Sequence, residues 1–269
     1  MHYQKIKFLL VSLMLIFLIS GCADTLSQFN AKIKSKSNEM SSVEQQATQS
    51  QATTPTGTAV RIGAWNIQRF GYEKSHDQNT MTVIKGVINT YDLLALQEIQ
   101  DVSGTAVMPI ISSSIPVGYR MVTSPSLGRT TYMERYVVIY DPSDFNYIES
   151  YTYNDAQDVF EREPFIARFS RNSIDFTLVV CHIKPGDAYR EIRELERVAT
   201  EVVAKYGDYD VILLGDMNGD CQYFSSPLFT NYYPIINYGE DTTVGNSSCA
   251  YDRIFISNTL KPRMTNGGV

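Results

Sequence analysis

The chain has 269 residues, 43% of them hydrophobic, which suffices for one large domain or two small ones with a buried core. Its formal net charge is −6, and −8 without Lys5 and Lys7. An acidic chain has no general electrostatic attraction for nucleic acid, so any contact with DNA needs a local basic patch or a bound cation.

The first residues have the pattern of a bacterial lipoprotein signal. Lys5 and Lys7 precede an apolar stretch from Phe8 to Ile19, which is too short to span a bilayer comfortably and ends in Ser20-Gly21-Cys22. Because the expected cleavage point abuts a cysteine, it resembles a lipobox with Cys22 as the acylated first residue. We predict a signal peptide over 1–21 and an exported, lipid-anchored protein of the bacterial cell envelope. The alternative is an ordinary signal peptide beside an incidental cysteine.

Residues 22–58 are predicted to be a flexible tether. They are rich in Ser, Gln, Thr and Lys and hold few large apolar groups, so they cannot support a core. Random-coil scaling gives such a tether an average reach of roughly 30 Å. The folded domain is therefore expected over 59–269.

The domain begins with an alternation of strands and helices. Val60 to Trp65 reads as a strand, Asp77 to Thr90 as an amphipathic helix, and Asp92 to Gln97 as a short strand buried on both faces. Four strands joined by turns then predict antiparallel hairpins: Tyr136 to Tyr140, Ile148 to Tyr153, Phe165 to Ser170 and Phe176 to Cys181.

A long helix and another strand follow. Asp187 is placed to cap the helix and Gly207 to end it, and Asp210 to Gly215 forms the strand. Two strand-rich halves could pack face to face with helices outside. The expected architecture is a four-layer α/β sandwich.

Polar side chains follow several of these strands. Asn66, Glu98 and His182 each come at a strand end, and Asp216 and Asn218 close another. Each alone is commonly a cap or turn former. Because reactive groups gather at the carboxyl ends of strands, together they indicate one site. Their carboxylate and amide oxygens suit Mg²⁺, with Ca²⁺ as the second candidate, and indicate a metal-assisted phosphoester hydrolase.

Glu134 could orient His182 and raise its basicity, although spacing alone cannot derive that pairing. The alternative for His182 is a satisfied structural histidine.

The cysteines fit an exported protein. Cys221 and Cys249 lie in loop-like sequence beside the proposed site, and a bridge between them would contribute roughly 3 to 4 kcal/mol. Cys181 lies inside an apolar strand and is predicted to be a buried free thiol.

An ordered set of short stretches resembles the deoxyribonuclease I family of the endonuclease/exonuclease/phosphatase superfamily. The set runs from about Val60 to Leu260. Its members are Trp65-Asn66-Ile67-Gln68, Leu96-Gln97-Glu98-Ile99, Leu127 to Tyr136, Arg162-Glu163-Pro164, His182, Gly215 to Cys221, and Cys249-Ala250-Tyr251-Asp252-Arg253.

The resemblance implies two packed mixed β-sheets flanked by helices, and divalent-cation-dependent hydrolysis of DNA phosphodiester bonds by a monomer. The implied metal ligands are Glu98, Asn66, Asp216 and Asn218. The implied catalytic residues are Glu134, His182 and Asp252, and the implied DNA-binding residues are Arg129, Tyr132 and Arg162. Cys221 and Cys249 match the structural disulfide of the family.

One departure bears on activity. The family closes with a strand preceded by Ser-Asp-His, whereas no histidine follows His182 here, so Asp252 is expected to lack its partner and the last strand to be missing. The chain as given is therefore expected to have little or no nuclease activity. Two alternatives stay open: a phosphatase or sphingomyelinase-like enzyme of the same superfamily, and a catalytically dead envelope protein that binds DNA or a partner.

Overall fold

In the computed structural model, the described residues are 7–8, 59–224, 228–244 and 246–269. The predicted signal peptide and tether lie outside these ranges, apart from Lys7–Phe8. Within the described ranges, no helix combines the length and apolar character needed to cross a bilayer.

The first half of the domain builds one mixed sheet. Its strands are β1 Lys7–Phe8, β2 Arg61–Phe70, β3 Leu93–Ile99, β4 Arg120–Thr123 and β5 Arg135–Tyr140, in the order β1-β2-β3-β5-β4. β1, β2 and β3 are parallel, and β5 is antiparallel to both neighbours. The helices of this half are α1 Tyr72–His76, α2 Gln78–Ile88 and α3 Met108–Ser112.

The second half builds another mixed sheet. Its strands are β6 Asn146–Thr152, β7 Phe165–Arg171, β8 Ile174–His182, β9 Val211–Asp216, β10 Tyr232–Pro234 and β11 Asp252–Ser257, in the order β10-β11-β9-β8-β7-β6. Only β8 and β9 are parallel. α4 Ala188–Tyr206 joins them, and short 3-10 helices lie at Pro185–Asp187 and Lys261–Arg263.

Three apolar clusters define the predicted four layers. The inner cluster lies between the sheets and includes Ile62, Tyr136, Leu178 and Ile212. A second joins α2 and α3 to the outer face of the first sheet, and a third joins α4 to the outer face of the second. The predicted fold, two packed mixed sheets flanked by helices, is confirmed.

Most predicted elements are found, with differences at their ends. The side chain of Asp77 caps α2 by accepting from the Thr80 N–H, and Gly207 ends α4 in a left-handed conformation. Asp187 stands at the N-cap of α4 but makes no side-chain capping hydrogen bond, because its carboxylate pairs with Lys184 at 3.0 Å. β2 continues five residues beyond the predicted end at Trp65.

Candidate active site

The topology brings the polar strand ends together at one edge of the sandwich. His182 and Asp216 are paired in register at the ends of β8 and β9, and Asp252 is paired with Asp216 from β11. Asn66 and Glu98 lie near the ends of β2 and β3. Because β2 and β3 face the second sheet, both halves of the domain contribute to one site.

Asn66 links the two sheets. Its amide nitrogen donates to Glu98 Oε1 at 2.8 Å and to Asp216 Oδ2 at 3.0 Å, while its Oδ1 accepts from the Gln68 N–H at 2.9 Å. Reversing the amide would lose all three hydrogen bonds, so its nitrogen faces the carboxylates. In this arrangement Asn66 bridges two predicted metal ligands through its NH₂ group.

Glu98 has a left-handed backbone with φ 63° and a largely buried side chain. Oε2 accepts from the Arg69 N–H at 2.8 Å and from the Tyr132 hydroxyl. Burial raises the pKa of this carboxyl, but the His182 charge and hydrogen bonds from Tyr132, Asn66 and Arg69 outweigh burial and lower it overall. Glu98 is therefore held ionised.

His182 is clamped from behind by Glu134. The fully buried Glu134 carboxylate lies 2.8 Å and 3.0 Å from His182 Nδ1, which leaves Nε2 facing the site, 4.0 Å from Glu98 Oε1 and 3.8 Å from Asp216 Oδ2. Burial lowers the pKa of His182, but Glu134 more than offsets it, and the pKa lies above its ordinary value. The pairing that spacing could not derive is present in the structure.

Arg162 and Tyr136 complete the support of this histidine. Arg162 is buried, with Nε 3.7 Å from Glu134 Oε2 and donating to the His182 carbonyl at 3.1 Å. The Tyr136 hydroxyl accepts from the His182 N–H at 3.0 Å. Arg162, predicted to bind DNA, thus lies behind the histidine and balances the buried Glu134 charge.

Glu191 is a supporting residue that the sequence analysis did not single out. Its carboxylate accepts from the Glu161 N–H at 2.9 Å and the Lys184 N–H at 3.1 Å, and so ties together the two loops behind His182. Burial raises its pKa. Glu191 falls on the apolar stripe of α4, three residues after Ala188 and four before Leu195, and a carboxylate in such a stripe was the available signal.

The other predicted DNA-binding residues differ in their placement. Tyr132 lies directly against Glu98, whereas the guanidinium of Arg129 donates to the Asp158 carbonyl at 2.7 Å and so fastens two loops together. Gly128 lies in the turn that carries both Arg129 and Tyr132. A Cβ at Gly128 would lie 2.6 Å from the Tyr132 carbonyl oxygen, so the turn requires glycine there.

Asp216 and Asn218 lie in the turn after β9. Burial raises the pKa of Asp216, although the His182 charge and the hydrogen bond from Asn66 act to lower it. The Asn218 amide donates to the Ile183 carbonyl at 2.9 Å, which points its Oδ1 away from that carbonyl. Asp252 is buried at the start of β11, and its N–H donates to Thr242 Oγ1 at 3.0 Å.

Cys181, Cys221 and Cys249 are placed as predicted. A disulfide joins Cys221 to Cys249, and Cys181 is a buried free thiol. Near the bridge, Asp220 Oδ2 accepts from the Ala250 N–H at 2.9 Å. These links hold the turn after β9 against the start of β11, next to Asp216 and Asp252.

The donor set fits a hard divalent cation. Within the described ranges, no group of three or more His, Cys, Asp and Glu side chains is arranged to hold a metal ion. Mg²⁺, however, keeps several waters and is commonly held by one or two carboxylates. Glu98 and Asp216 both accept from a single Asn66 nitrogen, so their oxygens lie close enough together to be ligands of one such ion.

The fold and the polar side chains at this edge of the sandwich define the class of protein. Residues 63–265 match the endonuclease/exonuclease/phosphatase family. Among solved structures, a mannosyl-6-phosphatase of Bacteroides thetaiotaomicron has a TM-score of 0.54 at 14% identity, covering 74% of this chain and 85% of its own. TDP2 of D. rerio, complexed with a single-strand DNA product, has a TM-score of 0.52 at 19% identity, covering 73% and 82%. At such low sequence identities, the similarity to these two structures shows a shared fold only.

The curated relatives are more specific. Mouse deoxyribonuclease-1-like 2 is 37% identical over 227 residues, covering 76% of this chain and 81% of the relative. Human deoxyribonuclease-1 is 35% identical over 224 residues, covering 75% and 78%. The chain belongs to the deoxyribonuclease I family of the endonuclease/exonuclease/phosphatase superfamily, a family of hydrolases of the nuclease type.

Proposed function

We propose that this chain is a divalent-metal-dependent endonuclease that hydrolyses DNA phosphodiester bonds, with Mg²⁺ as its cation and Ca²⁺ as a second. The observation that carries the proposal is the convergence of Glu98, Asp216 and His182 Nε2 at one edge of the sandwich, with Asn66 between the carboxylates and Glu134 behind the histidine. The names of the relatives support DNA as the substrate.

The residues divide the reaction between them. A cation held by Glu98 and Asp216, with Asn218 as a further predicted ligand, would stabilise the charge that develops on the phosphate. In the hydrolysis, water attacks phosphorus and releases one proton to the solvent. The bond from phosphorus to the leaving sugar oxygen breaks, and that oxygen needs a proton. Glu134 holds His182 Nδ1 and favours the protonated ring, which suits Nε2 to donate that proton.

Relaxation of supercoiled plasmid by the full chain in detergent tests the proposal. We expect slow nicking with Mg²⁺, with or without Ca²⁺, because His182 acts without the second histidine that the family resemblance implies, and none in EDTA. His182→Gln should lose about 100- to 10,000-fold in rate. His76→Gln is the matched control because His76 is an exposed histidine that hydrogen-bonds the Tyr72 carbonyl on α1, and it should nick like the parent.

The alternatives are outcomes of the same assay run beside a small phosphomonoester and sphingomyelin. Hydrolysis of either small substrate with intact plasmid would replace the proposal by the phosphatase or sphingomyelinase-like alternative. DNA binding without hydrolysis of any substrate would support a catalytically dead binding protein.

A further inference from the structure

The side chains that hold His182 come from segments of different regularity. Glu134 contacts its ring and Tyr136 its N–H, and these two residues lie beside and within β5, a strand paired on both edges. Arg162 donates to the His182 carbonyl at 3.1 Å and lies 3.7 Å from Glu134 Oε2. Arg162, however, belongs to residues 153–164, which connect β6 to β7 and form neither helix nor strand. Its position is therefore not fixed by the sheets.

The segment that follows His182 is short and irregular as well. His182 is the last residue of β8, and residues 183–184 lead from it to the 3-10 helix Pro185–Asp187 and then to α4. The backbone of the histidine thus depends on two irregular segments, the one that carries Arg162 and the one that leaves β8.

Glu191 joins these two segments through both of its carboxylate oxygens. Oε1 accepts from the Glu161 N–H at 2.9 Å, next to Arg162, and Oε2 accepts from the Lys184 N–H at 3.1 Å, two residues after His182. Glu191 stands in the first turn of α4, a helix packed on the outer face of the second sheet. A side chain on a packed helix therefore fixes the spacing between two segments that have no regular structure of their own.

The burial of this carboxylate indicates a role beyond packing. Glu191 is 0% exposed on the apolar stripe of α4, and the ion pairs between described residues do not include it. Taking an ionised carboxylate out of water is costly, and an apolar side chain of similar size would pack in such a stripe without that cost. The contacts indicate what offsets the cost, which is a fixed spacing between residues 161–162 and 182–184.

We infer that Glu191 is a positioning residue for the proposed reaction and holds His182 in the place from which Nε2 protonates the leaving oxygen. The inference rests on the proposed function. Glu191 acts through Arg162 on one side of the histidine and through the backbone of Lys184 on the other. Proton transfer needs the donor within hydrogen-bond reach of its acceptor, and a displacement of about 1 Å can cost about 100-fold in rate.

The test compares Glu191→Gln with a matched control variant of the full chain. Glutamine keeps the length of the side chain but leaves one acceptor oxygen for two N–H groups. Val198→Ala is the control, because Val198 is fully buried on the same face of α4, about two turns further on. Its truncation weakens packing and leaves the hydrogen bonds of Glu191 in place. Both variants are assayed at a temperature at which circular dichroism shows them to be folded.

Two substrates separate the positioning of His182 from general support of the fold. One is a duplex oligonucleotide, whose leaving sugar oxygen needs a proton, and the other is a phosphodiester of 4-nitrophenol, whose leaving group is stable as an anion. We expect Glu191→Gln to lower kcat on the duplex about 10- to 100-fold, with KM within a few-fold of the parent, and to lower kcat on the nitrophenyl ester less than about three-fold. In the His182→Gln background, Glu191→Gln should cost no further rate on the duplex. Val198→Ala should match the parent on both substrates.

A second measurement does not depend on cleavage. The hydrogen bond to Glu134 should shift the Nδ1 proton of His182 downfield in the proton NMR spectrum and protect it from exchange with water, and His182→Gln identifies that resonance by its loss. We expect a protected resonance in the parent and in Val198→Ala, and faster exchange in Glu191→Gln.

The outcomes separate this inference from the proposed function. Equal losses of kcat on the two substrates, or a further loss in the His182→Gln background, would show that Glu191 supports the fold and not the histidine. An unprotected resonance in the parent, or an unchanged exchange rate in Glu191→Gln, would overturn the inference even in a chain that cleaves nothing. If the exchange rates are as expected and the parent leaves DNA intact, Glu191 positions His182 while the proposed function fails.

Discussion

At the scale of single residues, negative charge at the site is concentrated on Glu98. His182 and three hydrogen-bond donors lower the pKa of Glu98 overall, whereas burial raises that of Asp216. Both carboxylates accept hydrogen bonds from the Asn66 amide and therefore lie close together. A divalent cation would bind most directly to the group that is already ionised.

We expect Glu98→Gln to weaken Mg²⁺ binding at least about ten-fold, because it keeps the shape of the side chain and removes one of two convergent charges. Titration calorimetry of the full chain measures the affinity. Glu73→Gln, an exposed carboxylate on α1, is the control and should leave the affinity unchanged. An unchanged affinity in Glu98→Gln would show that the cation binds elsewhere.

Residues at strand ends were predictable, because the carboxyl ends of strands meet by topology alone. Their supports were harder to predict. Glu134 lies 48 residues from His182 in sequence, and its pairing required the resemblance to a family. The bulge after Asn66 was not predictable, because nothing in the local sequence specifies two consecutive left-handed residues.

At the scale of elements, Asp101 organises the segment between β3 and α3. One oxygen accepts from Ser103 Oγ and the Gly104 N–H, and the other from the N–H groups of Ala106, Val107 and Met108, at 2.7 to 3.0 Å. α3 has no side-chain cap at Val107, so Asp101 supplies the acceptors that its first turn lacks. Burial raises the pKa of Asp101, but these hydrogen bonds outweigh it and lower the pKa to about 2.

This lowered pKa makes stability depend on pH. The ordinary value is 3.8, so the contribution of Asp101 is present above about pH 4 and is lost as the pH falls towards 2. It amounts to about 2 kcal/mol. Asp101→Asn replaces one acceptor oxygen by an NH₂ donor that faces N–H groups. We expect the substitution to lower the free energy of unfolding by about 2 kcal/mol at pH 7 and by less at pH 2.5.

Urea unfolding of both proteins at the two pH values measures the difference. Asp175→Asn is the control, because its carboxylate is 44% exposed in a surface pair with Arg168. Such a pair contributes under about 1 kcal/mol. A pH-independent difference between the parent and Asp101→Asn would contradict the assignment.

Elements were predictable in proportion to the strength of their pattern. β3 is buried throughout and α2 has a clear apolar face with a capping Asp77, so both were found within a few residues. β4 is four residues long and only partly buried, and β10 has three residues, so neither carries a run of apolar side chains. β11 is fully buried but was not predicted as a strand. The loop before it is held by Thr242 and the disulfide, and these contacts leave no pattern in the local sequence.

At the scale of the whole molecule, each sheet comes from one half of the chain and the site needs both. The first half supplies Asn66, Glu98 and Glu134, and the second supplies His182, Asp216 and Asp252. Neither half alone could pair Glu134 with His182 or bridge Glu98 to Asp216. The resemblance to a family predicted this convergence because it fixes the order of distant segments, which composition and periodicity do not.

We propose that the whole protein is exported and held on a membrane by lipid at Cys22, a residue outside the described ranges. The support is the order of Lys5 and Lys7, a short apolar stretch, small residues and a cysteine. A tethered nuclease would act on DNA outside the cytoplasm, where the Cys221–Cys249 disulfide is expected to persist.

Metabolic labelling with a fatty acid, followed by membrane fractionation, tests this anchor. We expect label in the parent and in Cys181→Ala, a matched control that removes the buried thiol. Cys22→Ala should carry no label, because it removes the thiol that would be acylated. Equal labelling of the Cys22→Ala variant would show that the cysteine after the apolar stretch is incidental.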